Sequence, residues 1–149
     1  MIKVSKIVAS VSGIGYIGKG GGTIAALSAC VLWYYMQPPV ALQIILTLIT
    51  ALAGVYVGNK VEAEWGKDSS KVVIDEVAGM FLSLLLLPVN FQFVVAGLIL
   101  FRFFDIAKPL YIRRTEVFPG GWGVMLDDLL AGVYANIVLQ LLWYFKVLN

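Results

Sequence analysis

The stretch "MLDDLLAG" (residues 125–132) lies near the start of a long apolar run, "GVMLDDLLAGVYANIVLQLLWYFKVL" (123–148). It places two adjacent carboxylates, Asp127 and Asp128, in a segment that is otherwise strongly apolar. A charge in apolar surroundings is costly unless it is paired, hydrogen-bonded or bound to a metal. The two aspartates therefore indicate a site at which other groups compensate their charge.

The composition of the whole chain indicates a membrane protein. Of its 149 residues 60% are hydrophobic and only 13% are charged, whereas a soluble domain has about 25% charged residues. The length fits a single domain over residues 1–149. No secretory signal peptide is evident at the N-terminus, and the net charge of +2 gives no indication of nucleic-acid binding.

Two residue counts exclude several kinds of catalytic site. The chain has no histidine, which excludes histidine phosphatases, HExxH metalloproteases and every triad that uses histidine. The single cysteine, Cys30, lies in an apolar run, so we expect a small core residue and no disulfide framework.

Apolar runs predict an all-α membrane bundle of about five main helices. The run at 40–58 has 19 residues without a charge, which is enough to span a bilayer. The runs at 24–36 and 77–88 fall short of the roughly 20 residues that a full span needs, so these helices could begin inside protein rather than in lipid. The other main helices are predicted at 91–107 and 129–145, and the glycine-rich N-terminal segment could be re-entrant.

The charges of the loops predict which ends of the helices face the cytoplasm. Lysines and arginines fall in the N-terminal segment and in the loops at 58–71 and 108–121, whereas "QPP" (37–39) and "PVN" (88–90) carry no charge. By the positive-inside rule the three basic segments are cytoplasmic. Lys146, near the other end of the last helix, is the one exception.

Five of the nine acidic residues lie at the edges of predicted helices. They are Asp75, Glu76, Asp105, Asp127 and Asp128. With the topology above, all five fall at the cytoplasmic face, where the glycine run "KGGGT" (19–23) also opens a helix. Three of the acids share a helix face with a glycine, which lets a neighbouring helix or ligand come close. The pairs are Asp75 with Gly79, Asp105 with Gly97, and Asp128 with Gly132.

Five carboxylates at one depth repel one another, so a positive group must hold them together. Oxygen ligands without histidine or cysteine suit Mg²⁺, which commonly bridges to a substrate phosphate. The backbone N–H groups of "KGGGT" and the charge of Lys19 offer a place for that phosphate. Simpler roles stay open: acids that serve helix dipoles, an ion pair of Asp105 with Arg102 or Lys108, a flexible glycine turn, and a solvated loop at 58–71.

Four longer motifs carry a resemblance to a known family. The segments "VVIDEVAGM" (72–80), "FRFFDIAKP" (101–109) and "GGWGVMLDDLLAG" (120–132) resemble, in order and spacing, the acidic motifs of the phosphatidylglycerophosphatase A family. The segment "GIGYIGKGGGTIAAL" (13–27) resembles its glycine-rich motif. The chain has "GGGT" (20–23) where the family typically reads Ala-Pro-Gly-Thr, and it keeps every acidic position.

The resemblance implies an integral membrane lipid phosphatase that depends on Mg²⁺. Its reaction would be hydrolysis of phosphatidylglycerophosphate to phosphatidylglycerol and phosphate, at the cytoplasmic face of the bacterial inner membrane. The residues expected to hold the metal are Asp75, Glu76, Asp105 and Asp128. Those expected to bind the substrate phosphate are Lys19, Gly21, Gly22, Thr23 and Arg102. Catalytic roles are expected for Asp105, Asp127, Asp128 and Lys108.

The nucleophile and two rival functions stay open at this point. The nucleophile is either a water held by the metal, which we favour, or an aspartate that forms an aspartyl-phosphate. The sequence lacks the DxDx[TV] signature of haloacid-dehalogenase-type phosphatases and the DGxxAR segment of CDP-alcohol phosphotransferases. A small cation- or proton-coupled transporter would place its acids near the bilayer midplane, whereas these acids lie at helix ends.

Overall fold

The computed structural model describes all residues from 1 to 149 and contains seven α-helices and no strands. The helices are α1 (Ile2–Ala9), α2 (Gly21–Met36), α3 (Val40–Trp65), α4 (Ile74–Leu84), α5 (Phe91–Ala107), α6 (Ile112–Thr115) and α7 (Gly120–Tyr144). A 3₁₀ turn, Ile14–Ile17, lies between α1 and α2. The all-α class is confirmed, and the five predicted main helices correspond to α2, α3, α4, α5 and α7.

The end of α3 and the start of α7 differ most from the sequence prediction. α3 continues to Trp65, so half of the predicted loop at 58–71 is helical, and Gly66 ends the helix with a φ of 81°. The polar residues after position 58 are mostly good helix formers, so the helix does not end where the apolar run ends. α7 begins at Gly120, directly after Pro119, and Asp127 and Asp128 therefore lie about two turns inside the helix rather than at its opening.

α4 and α7 approach most closely at two glycines. A Cβ on Gly132 would lie 2.5 Å from the carbonyl oxygen of Gly79, and a Cβ on Gly79 would lie 2.7 Å from the carbonyl oxygen of Asp128. No real Cβ comes so near a backbone oxygen, so only glycine permits this crossing. Asp75 and Asp128 each stand one turn before one of the two glycines, and the crossing brings these two acids together.

α4 is too short to span a membrane and is enclosed by the other helices. Eight of its 11 residues are buried, and its last turn ends inside the bundle. The freed carbonyl groups there need partners. The side-chain amide of Asn136 on α7 donates to the carbonyls of Ser83 and Leu85, at 3.0 and 2.8 Å. Gln43 on α3 accepts from the backbone N–H of Leu86 at 2.9 Å.

The apolar core lies on both sides of α4. The larger cluster joins α4 to α2, α5 and α7, and its bulkiest members are Trp33, Met80, Phe93 and Phe101. The smaller cluster joins the start of α4 to α1, α3 and the first half of α7. α4 is thus fixed from every side, and with it the position of its N-terminal turn.

α3 and α7 are long and apolar enough to cross a membrane. They have 26 and 25 residues, which at 1.5 Å per residue gives lengths of about 39 and 38 Å. The outer face of α3 exposes a continuous apolar stripe that includes Leu48, Ile49 and Leu52. α2 is a shorter apolar helix.

We predict that Gly132→Ala weakens the bundle, because the added methyl group would push α7 away from the backbone of α4. Overpacking of this kind typically costs about 1–3 kcal/mol. The measurement is thermal unfolding of the purified protein in detergent, with Val133→Ala on the outer face of α7 as the matched control. A Gly132→Ala variant that unfolds at the wild-type temperature would show that the close crossing is not required.

Candidate active site

The five acidic side chains that the sequence predicts to meet line a single cleft at one end of the bundle. The cleft has a volume of about 340 Å³, and only one of its 15 lining residues is hydrophobic. Asp75 and Glu76 come from the first turn of α4, and Asp105 comes from the last turn of α5. Asp127 and Asp128 come from α7. The cations on the same wall are Lys19, Arg102 and Lys108.

Three of the acids form a compact carboxylate cluster. Asp75, Glu76 and Asp128 each offer an oxygen, and these oxygens lie within 4.8 Å of one another. Asp75 and Asp128 are buried. One buried oxygen of each of the three accepts no hydrogen bond from the protein. Carboxylates so close together repel one another without a cation between them. Three oxygen donors with free lone pairs suit a hard cation such as Mg²⁺.

Asp127 has a different partner from its neighbour Asp128. The ammonium group of Lys108 donates to Asp127 Oδ2 at 2.7 Å, and it also forms an ion pair with Glu116. Adjacent residues of a helix point about 100° apart, so Asp128 faces the carboxylate cluster while Asp127 faces Lys108. Glu116 directly follows the short helix α6, where the chain after α5 folds back and brings its carboxylate to Lys108.

The surroundings of Lys108 favour the protonated, positively charged form of its side chain. Burial opposes that charge, but the hydrogen bonds from its ammonium to Asp127 and Glu116 outweigh the burial, and the pKa of Lys108 lies above its usual value. Lys108 caps α5 in a left-handed conformation, with a φ of 46°. This turn directs the side chain back across the cleft toward α7.

Asp105 is held by Arg102 and also lies next to Asp128 of the carboxylate cluster. The two side chains form an ion pair one turn apart on α5. Of the two basic residues expected to pair with Asp105, Arg102 does so in the structure, whereas Lys108 pairs with Asp127 and Glu116. The Nε of Arg102 is buried and has no acceptor within the protein. It is therefore a donor without a partner on the wall of the cleft.

The glycine-rich segment brings only part of the expected phosphate-binding set to the cleft. Lys19 and Gly22 line it, and a Cβ on Gly22 would overlap the carboxylate of Glu76. Gly21 is buried against the carbonyl of Ile14, and Thr23 is exposed outside the cleft. The reason is that α2 already begins at Gly21, so these consecutive residues point in different directions.

A polar turn missed by the sequence reasoning also lines the cleft. Asp68, Ser69 and Ser70 lie on its wall, although the loop at 58–71 was expected to be solvated. Asp68 adopts a φ of 54°, which turns the chain sharply before α4. An Asp-Ser-Ser sequence is typical of turns in general, and nothing in its spacing indicates that it borders a site.

Comparison with known proteins identifies the class. The chain matches the sequence profile of the family described as phosphatidylglycerophosphatase A over residues 7–143. A protein named phosphatidylglycerophosphatase A from Haemophilus influenzae is 36% identical over 140 residues, which cover 91% of this chain and 86% of the relative. The protein of the same name from Escherichia coli is 36% identical over 122 residues, or 79% of this chain and 71% of the relative.

A third relative carries a different name. A protein of Bacteroides thetaiotaomicron, provisionally named as a phosphatidylinositol-3-phosphatase, is 43% identical over 136 residues, or 85% of this chain and 86% of the relative. No solved structure matches the chain significantly. The enzyme is a phosphatase. The chain belongs to the phosphatidylglycerophosphatase A family, as the sequence motifs predicted.

We predict that Asp127→Asn and Asp128→Asn each lower turnover at least about a hundredfold, a loss of about 3 kcal/mol of transition-state stabilisation. The causes differ, because Asp128 belongs to the carboxylate cluster and Asp127 to the pair with Lys108. Only Asp128→Asn should also raise the concentration of divalent cation required for half-maximal activity.

The measurement is kcat on a lipid phosphate in mixed micelles, across a titration of Mg²⁺, with size-exclusion chromatography to check folding. Glu64→Gln is the control, because Glu64 is exposed and pairs with Lys6, away from the cleft. Near-normal kcat in both aspartate variants would mean that these acids only interact favourably with the helix dipole and take no part in catalysis.

Proposed function

We propose that the protein hydrolyses the phosphomonoester of phosphatidylglycerophosphate to phosphatidylglycerol and phosphate, with Mg²⁺, at the cytoplasmic face of the bacterial inner membrane. The observation that carries this proposal is the carboxylate cluster of Asp75, Glu76 and Asp128, whose free oxygens share a polar cleft with three cations. Such a cleft offers opposite charges to a metal and to the phosphate that the metal bridges. Membership of the family supports the choice of substrate.

Asp75, Glu76 and Asp128 are the residues we assign to hold the metal. When bound, Mg²⁺ polarises the phosphoryl oxygens and offsets the charge that develops on them. Asp105, also predicted to hold the metal, lies beside Asp128 and forms an ion pair with Arg102. We therefore assign it as a candidate fourth ligand that also orients Arg102. The free Nε of Arg102 and the ammonium of Lys108 are suited to donate to the phosphate.

Asp127 is the residue we assign to receive a proton. Its Oδ2 is held by Lys108, whereas its buried Oδ1 has no partner within the protein. Oδ1 can therefore accept a proton from a water that attacks phosphorus, while the lipid alkoxide that leaves as its bond to phosphorus breaks takes a proton from solvent water. Lys108 fixes the direction of the carboxylate. This arrangement favours water over an aspartate as the nucleophile, because the Lys108 ammonium holds one oxygen of Asp127 and leaves the other free to accept a proton.

The shape and charge of the bundle support a membrane location. α3 and α7 have the length and composition of spanning helices, and the cleft lies at the end of the bundle beside the basic loops. Lipid phosphates are charged and lie at the membrane surface, so a polar cleft at helix ends is at the depth of a headgroup. Asp75, Glu76 and Asp105 lie in the terminal turns of α4 and α5, which argues against a transporter, whose acids would lie near the middle of the helices.

A second candidate substrate is the phosphomonoester of a phosphorylated phosphatidylinositol. The relative named for this activity has 43% identity, against 36% for the two named phosphatidylglycerophosphatase A. Both substrates present a phosphomonoester on a polyol headgroup, so the carboxylate cluster would act in the same way on either. The turn of Asp68, Ser69 and Ser70 supplies a carboxylate and hydroxyls at the rim, which can bind hydroxyl groups of either headgroup.

The proposal predicts phosphate release that requires a divalent cation, because the carboxylate cluster repels the phosphate when it is empty. Purified protein in detergent is to be incubated with phosphatidylglycerophosphate and, separately, with phosphatidylinositol phosphate. We expect Mg²⁺ to support release and EDTA to abolish it. Full phosphate release after exhaustive chelation would refute the requirement for a divalent cation. A kcat/KM at least tenfold higher for the inositol lipid would instead identify phosphorylated phosphatidylinositol as the preferred substrate.

The topology gives a separate prediction. Single cysteines at Ser69 and Asn90, in a background in which Cys30 is replaced, should react with an impermeant thiol reagent from opposite sides of the membrane. Ser69 borders the cleft and is expected on the cytoplasmic side, whereas Asn90 caps the opposite end of α5. Reaction of both positions from the same side would contradict the arrangement.

A further inference from the structure

A second cavity of the bundle is entirely apolar. It is a groove of about 250 Å³ between α2 and α5, and all nine of its lining residues are hydrophobic. From α2 it includes Leu27, Val31 and Tyr34, and from α5 it includes Val95 and Leu98. Leu27 and Val31 are each 49% exposed, so the groove is open along its side rather than sealed. We name it the α2–α5 groove.

The α2–α5 groove lies below the polar cleft along α5. Its lining residues on α5 lie on one helix face, and the same face continues through Arg102 and Asp105, which line the cleft. At 1.5 Å per residue, Leu98 lies about 6 Å below Arg102 along the helix and Phe91 about 16 Å below it. On α2, Leu27 follows the cleft residue Gly22 by five residues. The groove therefore begins about one turn of α5 from the cleft residue Arg102 and runs away from the cleft.

We propose that the α2–α5 groove holds one acyl chain of the lipid whose phosphate occupies the cleft. This inference rests on the proposed function. A substrate of this class joins a charged headgroup to a long apolar chain, and the structure offers a polar cleft and an apolar groove in the same order along α5. The open side of the groove lets a chain enter from the bilayer without passing through the protein. Bulk lipid and a partner helix are the competing occupants.

Two neighbouring residues on α2 provide a matched test. Val31 lines the α2–α5 groove, whereas Leu32 does not, and the two are 49% and 50% exposed. Val31→Trp should fill the groove, and Leu32→Trp should place the same bulk on the outer surface. We expect Val31→Trp to raise KM for a long-chain lipid phosphate at least tenfold, with little change in kcat. Neither variant should alter KM for the dihexanoyl form of the same lipid, whose chains are too short to use the groove.

A binding readout separates this inference from the proposed function. Phosphatidic acid that carries a diazirine in its acyl chain is irradiated in nanodiscs with the purified wild-type protein and with each of the two variants. The adducts are mapped by mass spectrometry. Adducts concentrated on groove residues, and reduced by Val31→Trp but not by Leu32→Trp, would support the groove even if no lipid phosphate were hydrolysed. Adducts spread evenly over the outer helix faces, or an equal change of KM for both chain lengths, would overturn it.

Discussion

The contact between Gly79 and Gly132 is the constraint on which the rest of the structure depends. Because neither residue has a side chain, α4 and α7 pack with backbone against backbone. Asp75 and Asp128 stand one turn before these glycines, so the same contact that closes the bundle also sets two carboxylates beside each other. Burial of α4 on every side keeps this geometry rigid. Packing and the site are therefore determined by one helix crossing.

Charge compensation then divides the five acids into groups with different tasks. Lys108 engages Asp127, and Arg102 engages Asp105. The remaining cluster of Asp75, Glu76 and Asp128 has no cation from the protein within it and keeps free buried oxygens. Carboxylates this close together repel one another, which favours binding of an external cation between them. The two protein cations that neutralise the other acids remain at the wall of the cleft, where a phosphate is expected.

Much of this arrangement could be predicted from the sequence, because apolar runs and loop charges set the helices and their direction. The convergence of the acids followed from the loop charges and the helix order together. The ion-pair partner of each acid could not be predicted from the sequence. Lys108 reaches Asp127 only because the chain makes a left-handed turn after α5. The position of Asp68 on the cleft depends on how a loop folds over α4, and the start of α7 depends on Pro119 rather than on hydrophobicity.

Binding of a divalent metal to the carboxylate cluster is the central claim, and it can be measured without turnover. Mn²⁺, an EPR-visible substitute for Mg²⁺, is titrated into the purified protein in detergent. Saturable binding that Mg²⁺ displaces is predicted for the wild type and for Glu64→Gln, and binding at least tenfold weaker is predicted for Asp75→Asn. Equal Mn²⁺ affinity of Asp75→Asn and the wild type, or no saturable binding to either, would contradict the account.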